Sequence, residues 1–305
     1  MERDKINMQI DIVVPVYNAY DELQTCLESL FKYTNFTENR LILVNDSSSD
    51  PRIKLLLENS KRENPGKNIL VFHNLKNMGF SSNVNLGMAQ SEVNDVLLLN
   101  SDTRVTKNWL SKIITCAYSI EKIGTVTPLS NNATLCSVPN FCQENKLPKG
   151  IDVDQMAALV EECSLRKYPR ITVANGFCMY IKREVIKAIG NFDAETFGRG
   201  YGEENDFCNR AEQKGYIHVM CDDTYIYHSG TKSFASKEKK SYIKEHDRIL
   251  HERYPEQMRR NAIYCKKNPN GWVGKNIAEY MYDHINPPKK AKKFKLVGIL
   301  KRIKK

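Results

Sequence analysis

Residues 95–103 read DVLLLNSDT, an apolar run that ends in polar residues. The run is short and continuous, so we expect a buried strand that delivers Asn100, Ser101 and Asp102 at its exit. Magnesium and manganese prefer oxygen ligands, and an Asp carboxylate with an Asn amide oxygen two residues before it can hold such an ion. The same residue types are common in an ordinary turn after a strand, so this motif alone is compatible with either interpretation.

Similar apolar runs alternate with helical patterns on both sides of this stretch. Their β-branched character is typical of buried strands, and leucines at helical spacing follow the first of them. The alternation predicts an α/β fold with a mostly parallel sheet and helices on both faces. We expect strands at residues 10–16, 41–45, 69–73, 95–100 and 124–128, and helices at 81–90 and 109–118.

The second half of the chain has a different pattern. Residues 129–170 contain several turn-forming residues and no clear strand, and the segment from Lys232 onward is polar and largely helical in pattern. Between them we expect a strand that runs into a helix at 172–186, a helix at 203–215 and short strands at 216–221 and 224–228.

Ligands of such sheets bind beyond the carboxyl ends of the strands. Asp46 lies there and can accept hydrogen bonds from a base or a ribose, although the residues that follow it also suit helix capping. In NMGFSSNVNLG (77–87), Gly79 allows a sharp turn that points a helix N-terminus at the crevice. Such an end favours anions, but this motif is weak by itself.

Two further motifs carry ionisable groups. FGRGYGEENDF (197–207) places Glu203, Glu204 and Asp206 at a helix start after three glycines. The helix dipole favours acids there, and a general base on a loop that closes over substrate would have the same pattern. In YIYHSGTKSF, His228 follows a strand and is either structural or a metal ligand.

The net charge of +10 is concentrated in the tail, because residues 289–305 hold nine of the 46 Lys and Arg residues and no acid. A nucleic-acid-binding domain carries its basic charge on the fold, so we expect no nucleic-acid partner. Apolar residues recur at three-residue spacing in this tail. It is either a basic amphipathic helix for an anionic membrane surface or a disordered solubilising tail.

The N-terminal residues lack the apolar stretch of a signal peptide, and no run is long enough for a membrane span. The nine cysteines are odd in number and form no C-x-x-C pair, which favours free thiols in a reducing compartment. We therefore expect a cytoplasmic protein, with peripheral attachment at the inner face of the membrane if the tail binds lipid.

Six motifs in order resemble family 2 glycosyltransferases of the GT-A fold, a Rossmann-like architecture. The resemblance covers about residues 8–230 and points to bacterial enzymes that build surface polysaccharides and glycans. The motifs are VVPVYNAYDEL, LVNDSSSD, NMGFSSNVNLG, LLLNSDTRV, ANGFCMYIKREVIKAIGNFD and GYGEENDFCNRAEQKGY.

The resemblance implies roles for individual residues. Asn100-Ser101-Asp102 looks like the D-x-D metal motif of the family, with Asp102 as the principal ligand of Mn²⁺ or Mg²⁺ and Asn100 as a departure from the pattern. Glu203-Glu204 resembles the E-D motif, which makes Glu204 the catalytic base and Asp206 the reserve candidate, and His228 falls where some relatives supply a metal ligand. The implied donor-binding residues are Val16, Tyr17, Asn18, Asp46, Asn77, Gly79, Asn83, Ser101, Asn175 and Gly176.

The implied activity is metal-dependent, inverting transfer of a sugar from a UDP- or dTDP-type nucleotide sugar to a hydroxyl of a glycan or lipid-linked acceptor. The implied organisation is a GT-A domain at 1–230, with a donor half at 1–128 and an acceptor half at 129–230, then a helical extension at 231–288 and the tail. Two rivals remain: a sugar nucleotidyltransferase, whose basic Gly-rich loop after the first strand is missing here, and a non-catalytic nucleotide-sugar-binding module. A dinucleotide-dependent oxidoreductase is disfavoured because G-x-G-x-x-G is absent.

Overall fold

An eight-stranded mixed sheet forms the centre of the computed structural model, which describes residues 9–230 and 236–285. The strand order is β3-β2-β1-β4-β8-β6-β9-β7, and a second, two-stranded sheet pairs β5 with β10. The strands are β1 Ile10–Val16, β2 Arg40–Asn45, β3 Ile69–His73, β4 Asp95–Leu99, β5 Thr103–Arg104, β6 Ile123–Leu129, β7 Arg170–Ile171, β8 Cys178–Ile181, β9 Ile217–Tyr225 and β10 Tyr227–His228.

Parallel pairing brings the ends of the first strands to one edge. Strand β1 pairs in parallel with both β2 and β4, and β2 pairs in parallel with β3. Strand β8 is antiparallel to its neighbours β4 and β6, whereas β6 and β9 are parallel. The five strands predicted in the first half are confirmed to within one residue at each end, and their carboxyl ends define where a ligand can bind.

Helices cover both faces of the sheet because the strands alternate their side chains between two cores. On β1, Ile12 and Val14 face a core that includes α1, whereas Val13 faces the core that includes α3. These side chains are fully buried, and each such burial contributes on the order of 1.5–3 kcal/mol. The helices are α1 Tyr20–Tyr33, α2 Pro51–Arg62, α3 Phe80–Met88, α4 Trp109–Ala117, α5 Val153–Cys163, α6 Arg183–Ile189, α7 Ala194–Phe197, α8 Glu203–Gln213, α9 Ser236–Arg253, α10 Pro255–Lys267 and α11 Gly271–Ile285.

One prediction for the second half is wrong. The segment expected to form two short strands at 216–221 and 224–228 forms the single strand β9 and the short β10. The strand continues through Asp222 and Asp223 because both acids are buried with partners. Asp222 accepts hydrogen bonds from Ser164 Oγ and the Tyr168 N–H, each at 3.0 Å, and Asp223 pairs with Arg166 at 3.3 Å.

Residues 129–170 contain a helix that the turn-rich composition conceals. Helix α5 begins at a capping box in which the Asp152 side chain accepts from the Gln155 N–H, and the Gln155 side chain accepts from the Asp152 N–H. Its buried face, which includes Met156 and Val160, packs against β9. The remainder of this segment is irregular apart from a 3₁₀ turn at Thr134–Cys136.

Helices α9 to α11 confirm the helical pattern predicted from Lys232 onward, and they pack against the rest of the fold. Arg253 at the end of α9 forms ion pairs with Asp193 and Asp206, and Ile277 of α11 is buried in the core. Within residues 9–230 and 236–285, no helix has the length and apolarity needed to cross a bilayer. The Pro287-Pro288 break and the basic tail at 289–305 lie outside the described residues.

Candidate active site

A cleft of about 810 Å³ opens at the carboxyl ends of β1, β2 and β4. Its lining includes every predicted site residue except Asn18 and Asp206, although these residues come from seven separate motifs. The predicted residues that line it are Val16, Tyr17, Asp46, Asn77, Gly79, Asn83, Asn100, Ser101, Asp102, Asn175, Gly176, Glu203, Glu204 and His228.

Asp46 organises one wall of the cleft. Its buried carboxylate accepts hydrogen bonds from the Met78 N–H at 2.8 Å, the Gly79 N–H at 2.9 Å and the Asn74 side chain at 2.9 Å. Asn83 accepts from the same Asn74 amide and donates to the Val44 carbonyl, each at 2.9 Å. This network fixes the loop that leads into α3 beside the cleft.

Asn18 belongs to a neighbouring turn instead. It adopts a left-handed backbone conformation with φ of 57°, and its side-chain oxygen accepts from the N–H groups of Ser49 at 2.9 Å and Asp50 at 3.1 Å. The structure therefore does not bring this predicted donor-binding residue to the cleft, because its amide is engaged in shaping the turn before α2.

Asp102 and His228 meet at the opposite wall. The pairing of β5 with β10 aligns Thr103 with His228, so Asp102 Oδ1 lies 3.3 Å from His228 Nε2. His228 Nδ1 lies 2.7 Å from the Asn132 carbonyl, which can only accept, so Nδ1 carries the proton. The His228 ring also stacks on Phe177 with centroids 5.2 Å apart.

The surroundings of His228 favour a positive charge beside Asp102. Burial lowers the pKa of His228, but the hydrogen bond and charge of Asp102, together with the Asn132 carbonyl, raise it above its usual value overall. A divalent cation beside Asp102 can take the place of the Nε2 proton of a charged His228.

The Asp102–His228 pair fits a divalent cation that is shared with a substrate. Metal-binding histidines commonly donate one ring N–H to a carbonyl and direct the other nitrogen to the metal, as His228 does here. In the part of the chain that the structure describes, no cluster of three or more His, Cys, Asp or Glu side chains is suited to a metal. Asn100 and Ser101 line the same cleft, and substrate or water oxygens can complete the shell of such a cation, as is common for Mg²⁺.

Glu203 and Glu204 begin α8 and share one hydrogen bond. Burial raises the pKa of Glu203 well above its usual range, and the charge of Glu204 raises it further. Burial also raises the pKa of Glu204, whereas hydrogen bonds from Glu203 and the Gly176 N–H act in the opposite direction. These surroundings favour the proton on Glu203 and the ionised form of Glu204.

Gly176 is required for this arrangement. Its N–H donates to Glu204 Oε1 at 3.1 Å, and a methyl group at this position would collide with that same oxygen. Because Gly176 has no side chain, the Glu204 carboxylate can approach the backbone just before β8.

Asp206 lies outside the cleft. Its carboxylate is 1% exposed and pairs with Arg210 at 2.8 Å and Arg253 at 3.2 Å, and Tyr254 donates to it at 2.7 Å. The reserve candidate for the base therefore faces α9, because its position in α8 turns it away from Glu204.

Several cleft residues come from segments that sequence analysis did not single out. The buried Asn131 binds both the N–H and the carbonyl of His228, at 2.8 and 2.9 Å, and so fixes its backbone. No sequence signal identifies Asn131, whereas Arg199 and Tyr201 lie in the FGRGYGEENDF motif between its glycines. The added lining residues include Asn132, Thr134, Arg199, Tyr201, Gly230 and Ile243.

Known structures share this fold. A mannosyltransferase from Pyrobaculum calidifontis, solved in complex with GDP-Man and Mn²⁺, has a TM-score of 0.61 at 13% identity, over 91% of this chain and 75% of that one. GalNAc-T7, solved with UDP, GalNAc and Mn²⁺, has a TM-score of 0.60 at 16% identity, over 93% of this chain and 59% of that one. At these identities the likeness establishes the GT-A fold.

Sequence comparison identifies the family. An uncharacterized protein of Mycobacterium tuberculosis is 26% identical over 227 residues, which cover 73% of this chain and 74% of that protein. Residues 11–190 match the sequence model of Glycosyl transferase family 2. That match contains the Asp46 wall, Asp102 and Gly176, and it spans more than half of the chain, so this chain belongs to glycosyl transferase family 2.

Proposed function

We propose that this glycosyltransferase moves a sugar from a UDP- or dTDP-type nucleotide sugar to an acceptor hydroxyl, with inversion at the anomeric carbon. The observation that carries the proposal is that Asp102 and His228 line the same cleft as Glu203 and Glu204. A pair suited to a cation and a pair suited to proton transfer are what a single displacement needs at the two ends of the reacting bond.

The donor would occupy the wall beneath α3. Val16, Tyr17 and Asp46 are proposed to bind the base and ribose, with Asn77, Gly79 and Asn83 beside the phosphates and Ser101 near the sugar. Supporting this, the Asp46 network fixes Gly79 at the start of α3, and Gly79, Phe80 and Asn83 line the cleft, where a helix N-terminus favours anions. GalNAc-T7 was solved with UDP and the Pyrobaculum mannosyltransferase with GDP-Man, which supports a nucleotide-sugar donor in this fold.

Asp102 and His228 are proposed to hold Mn²⁺ or Mg²⁺, with Asn100 adjacent. The cation, when bound, would supply charge neutralisation for the leaving diphosphate. Both structural neighbours were solved with Mn²⁺, which supports this assignment. Asp102 and His228 would also orient the donor so that its anomeric carbon faces the acceptor side.

Glu204 is the proposed general base. Its carboxylate would accept the proton of the acceptor hydroxyl while the hydroxyl oxygen bonds to the anomeric carbon and the nucleoside diphosphate departs. Glu203 would remain protonated and hold Glu204 through their hydrogen bond. The acceptor, a glycan or lipid-linked glycan in polysaccharide or glycan biosynthesis, would enter past Asn175 and Gly176.

The test compares Asp102→Ala, Glu204→Gln and the control Asp206→Asn in a transfer assay with a panel of nucleotide sugars and Mn²⁺. We expect Glu204→Gln to lower kcat by about 10²-fold or more while donor binding persists. Asp102→Ala should weaken Mn²⁺-dependent binding of the donor, measured by calorimetry. Asp206→Asn should lower thermal stability and leave kcat largely intact, since its partners are Arg210 of α8, Arg253 of α9 and the adjacent Tyr254, all outside the cleft lining.

Wild-type transfer rates in Glu204→Gln would eliminate Glu204 as the base. Tight donor binding by the wild-type protein with no transfer to any acceptor tested would favour a binding module over an enzyme. If the metal assignment is correct, EDTA should abolish transfer activity and added Mn²⁺ should restore it.

A further inference from the structure

The segment that precedes the carboxylate pair has a strained backbone. We call residues 197–202 the glycine loop. Tyr201 lies in the left-handed region with φ of 68°, between Gly200 at 95° and Gly202 at 153°. A non-glycine residue in this region costs on the order of 1–3 kcal/mol and persists only where the surroundings enforce it.

The side chain of His246, on α9, holds this strained backbone in place. Its side chain is 5% exposed, and Nδ1 lies 2.9 Å from the Gly200 carbonyl and 3.1 Å from the Tyr201 carbonyl. Carbonyl oxygens only accept, so the Nδ1–H of His246 donates to both. One side chain therefore fixes two successive peptide groups on either side of the strained residue.

Packing around the His246 ring also holds the loop. The His246 ring meets Phe197 edge-on, with centroids 5.1 Å apart. A Cβ added at Gly202 would lie 2.7 Å from the Phe197 ring and 3.2 Å from His246 Cβ. The loop is thus packed between its own Phe197 and α9.

The loop geometry determines where Glu203 lies. The Gly202 N–H donates to Glu203 Oε2 at 3.0 Å, and a Cβ built at Gly200 would lie 3.8 Å from Glu203 Oε1. The side chains of Glu203 and Glu204 share a hydrogen bond, and both line the cleft. A continuous set of contacts therefore joins His246 to the carboxylate of Glu204.

We propose that His246 is a positioning residue for transfer: it holds the glycine loop in the conformation that sets Glu203 and Glu204 for proton transfer. Helix α9 is then part of the active site, and its Ile243 lines the same cleft. The proposal rests on the proposed function, because it assigns His246 a task in the step that Glu204 performs.

The test uses the full chain with His246→Ala, His246→Asn and the control His251→Ala. The Asn side chain places an N–H donor near the position of Nδ1, and His251 is an exposed histidine on the same helix that bonds only within it. Hydrogen exchange of the peptide that covers 197–202, measured by mass spectrometry, reports on the loop without any reaction. Steady-state kinetics report separately on kcat and donor KM.

We expect His246→Ala to accelerate exchange in the glycine loop and to lower kcat by about 10- to 100-fold, with a much smaller rise in donor KM because the loop also contacts the donor wall. His246→Asn should restore much of both, and His251→Ala should match the wild type. Unchanged exchange in His246→Ala would overturn the proposal, as would accelerated exchange with wild-type kcat. If the wild-type protein transfers no sugar, the proposed function fails, whereas the exchange measurement still decides whether His246 holds the loop.

Discussion

The surroundings of two adjacent carboxyl groups, Glu203 and Glu204, favour different protonation states. Burial raises the pKa of Glu203, which is 2% exposed, well above its usual range, and the charge of its neighbour raises it further. Glu204 is half-buried and accepts hydrogen bonds from Glu203 and from the Gly176 N–H. The protonated partner thus stabilises the ionised one, and each residue can have a separate task.

We predict that Glu203→Gln retains most of the transfer activity, since the Gln amide can still donate to Glu204. Its effect should be a few-fold, against a loss of about 10²-fold or more for Glu204→Gln. The measurement is kcat for both variants under saturating donor and Mn²⁺. Equal losses in the two variants would contradict separate roles.

The pH dependence of thermal stability provides a second test of the Glu203–Glu204 pair. A carboxyl whose pKa is raised by folding contributes stability that is fully present below its unfolded pKa and is lost as pH rises through the folded pKa. Wild-type Tm should therefore fall over that range, and Glu203→Gln should flatten the dependence. The raised pKa of Glu204 also predicts that kcat falls as pH decreases through it, because the base must be ionised.

At the scale of elements, α3 and the glycine loop come together at a contact that excludes a side chain. Gly79 precedes α3 with φ of 83° and ψ of 164°, a conformation reserved almost entirely for glycine. A methyl group there would collide with the Gly198 carbonyl, which accepts from the Ser81 N–H at 3.2 Å. The donor wall and the loop before the carboxylate pair therefore depend on one close backbone approach.

We predict that Gly79→Ala impairs both stability and donor binding. The strained backbone should cost on the order of 1–3 kcal/mol, and the collision should separate α3 from the glycine loop. Thermal unfolding and calorimetry with UDP and Mn²⁺ measure the two effects.

The control for this substitution is Gly66→Ala. Gly66 has φ of 85° in an exposed turn, and a Cβ there meets nothing within 4 Å. The Gly66→Ala variant should lose a similar amount of stability from its strained backbone and should bind UDP as the wild type does. Equal UDP affinity in the Gly79 and Gly66 variants would show that the α3 contact does not matter for the donor site.

Across the whole molecule, segments far apart in the chain build one cleft. Strand β5 meets β10 so that Asp102 reaches His228, and α9 returns across the sheet edge to contact the glycine loop. The C-terminal helices therefore belong to the body of the enzyme. For residues 289–305 we make a separate prediction about membrane binding.

We predict that the basic tail binds anionic membranes. Each Lys or Arg near such a surface contributes about 1 kcal/mol, and nine of them lie in residues 289–305. The full chain should sediment with phosphatidylglycerol vesicles, and a chain that lacks 289–305 should stay in the supernatant. Phosphatidylcholine vesicles are the control, and sedimentation of both forms with the anionic vesicles would rule out the tail as the anchor.

Much of the site was predictable because its signals are local. Apolar periodicity located the strands of the first half, and the rule that ligands bind beyond parallel strand ends drew attention to Asp46, Asn100 and Asp102. The acids at the start of α8 were likewise visible as a motif. These features depend on residues close together in the chain, where patterns are direct.

Tertiary packing decided which of those candidates face the cleft. Within the first turn of α8, Glu204 contacts Gly176, whereas Asp206 points to Arg253 and Tyr254. Long-range contacts likewise hold Asn18 against Ser49. His246 and Ile243 enter the site from a polar helix without any motif. The sequence by itself determined the alternating α/β architecture and the chemical groups available. Only the folded chain decided their partners, because burial and hydrogen bonding between distant residues are properties of the packed structure.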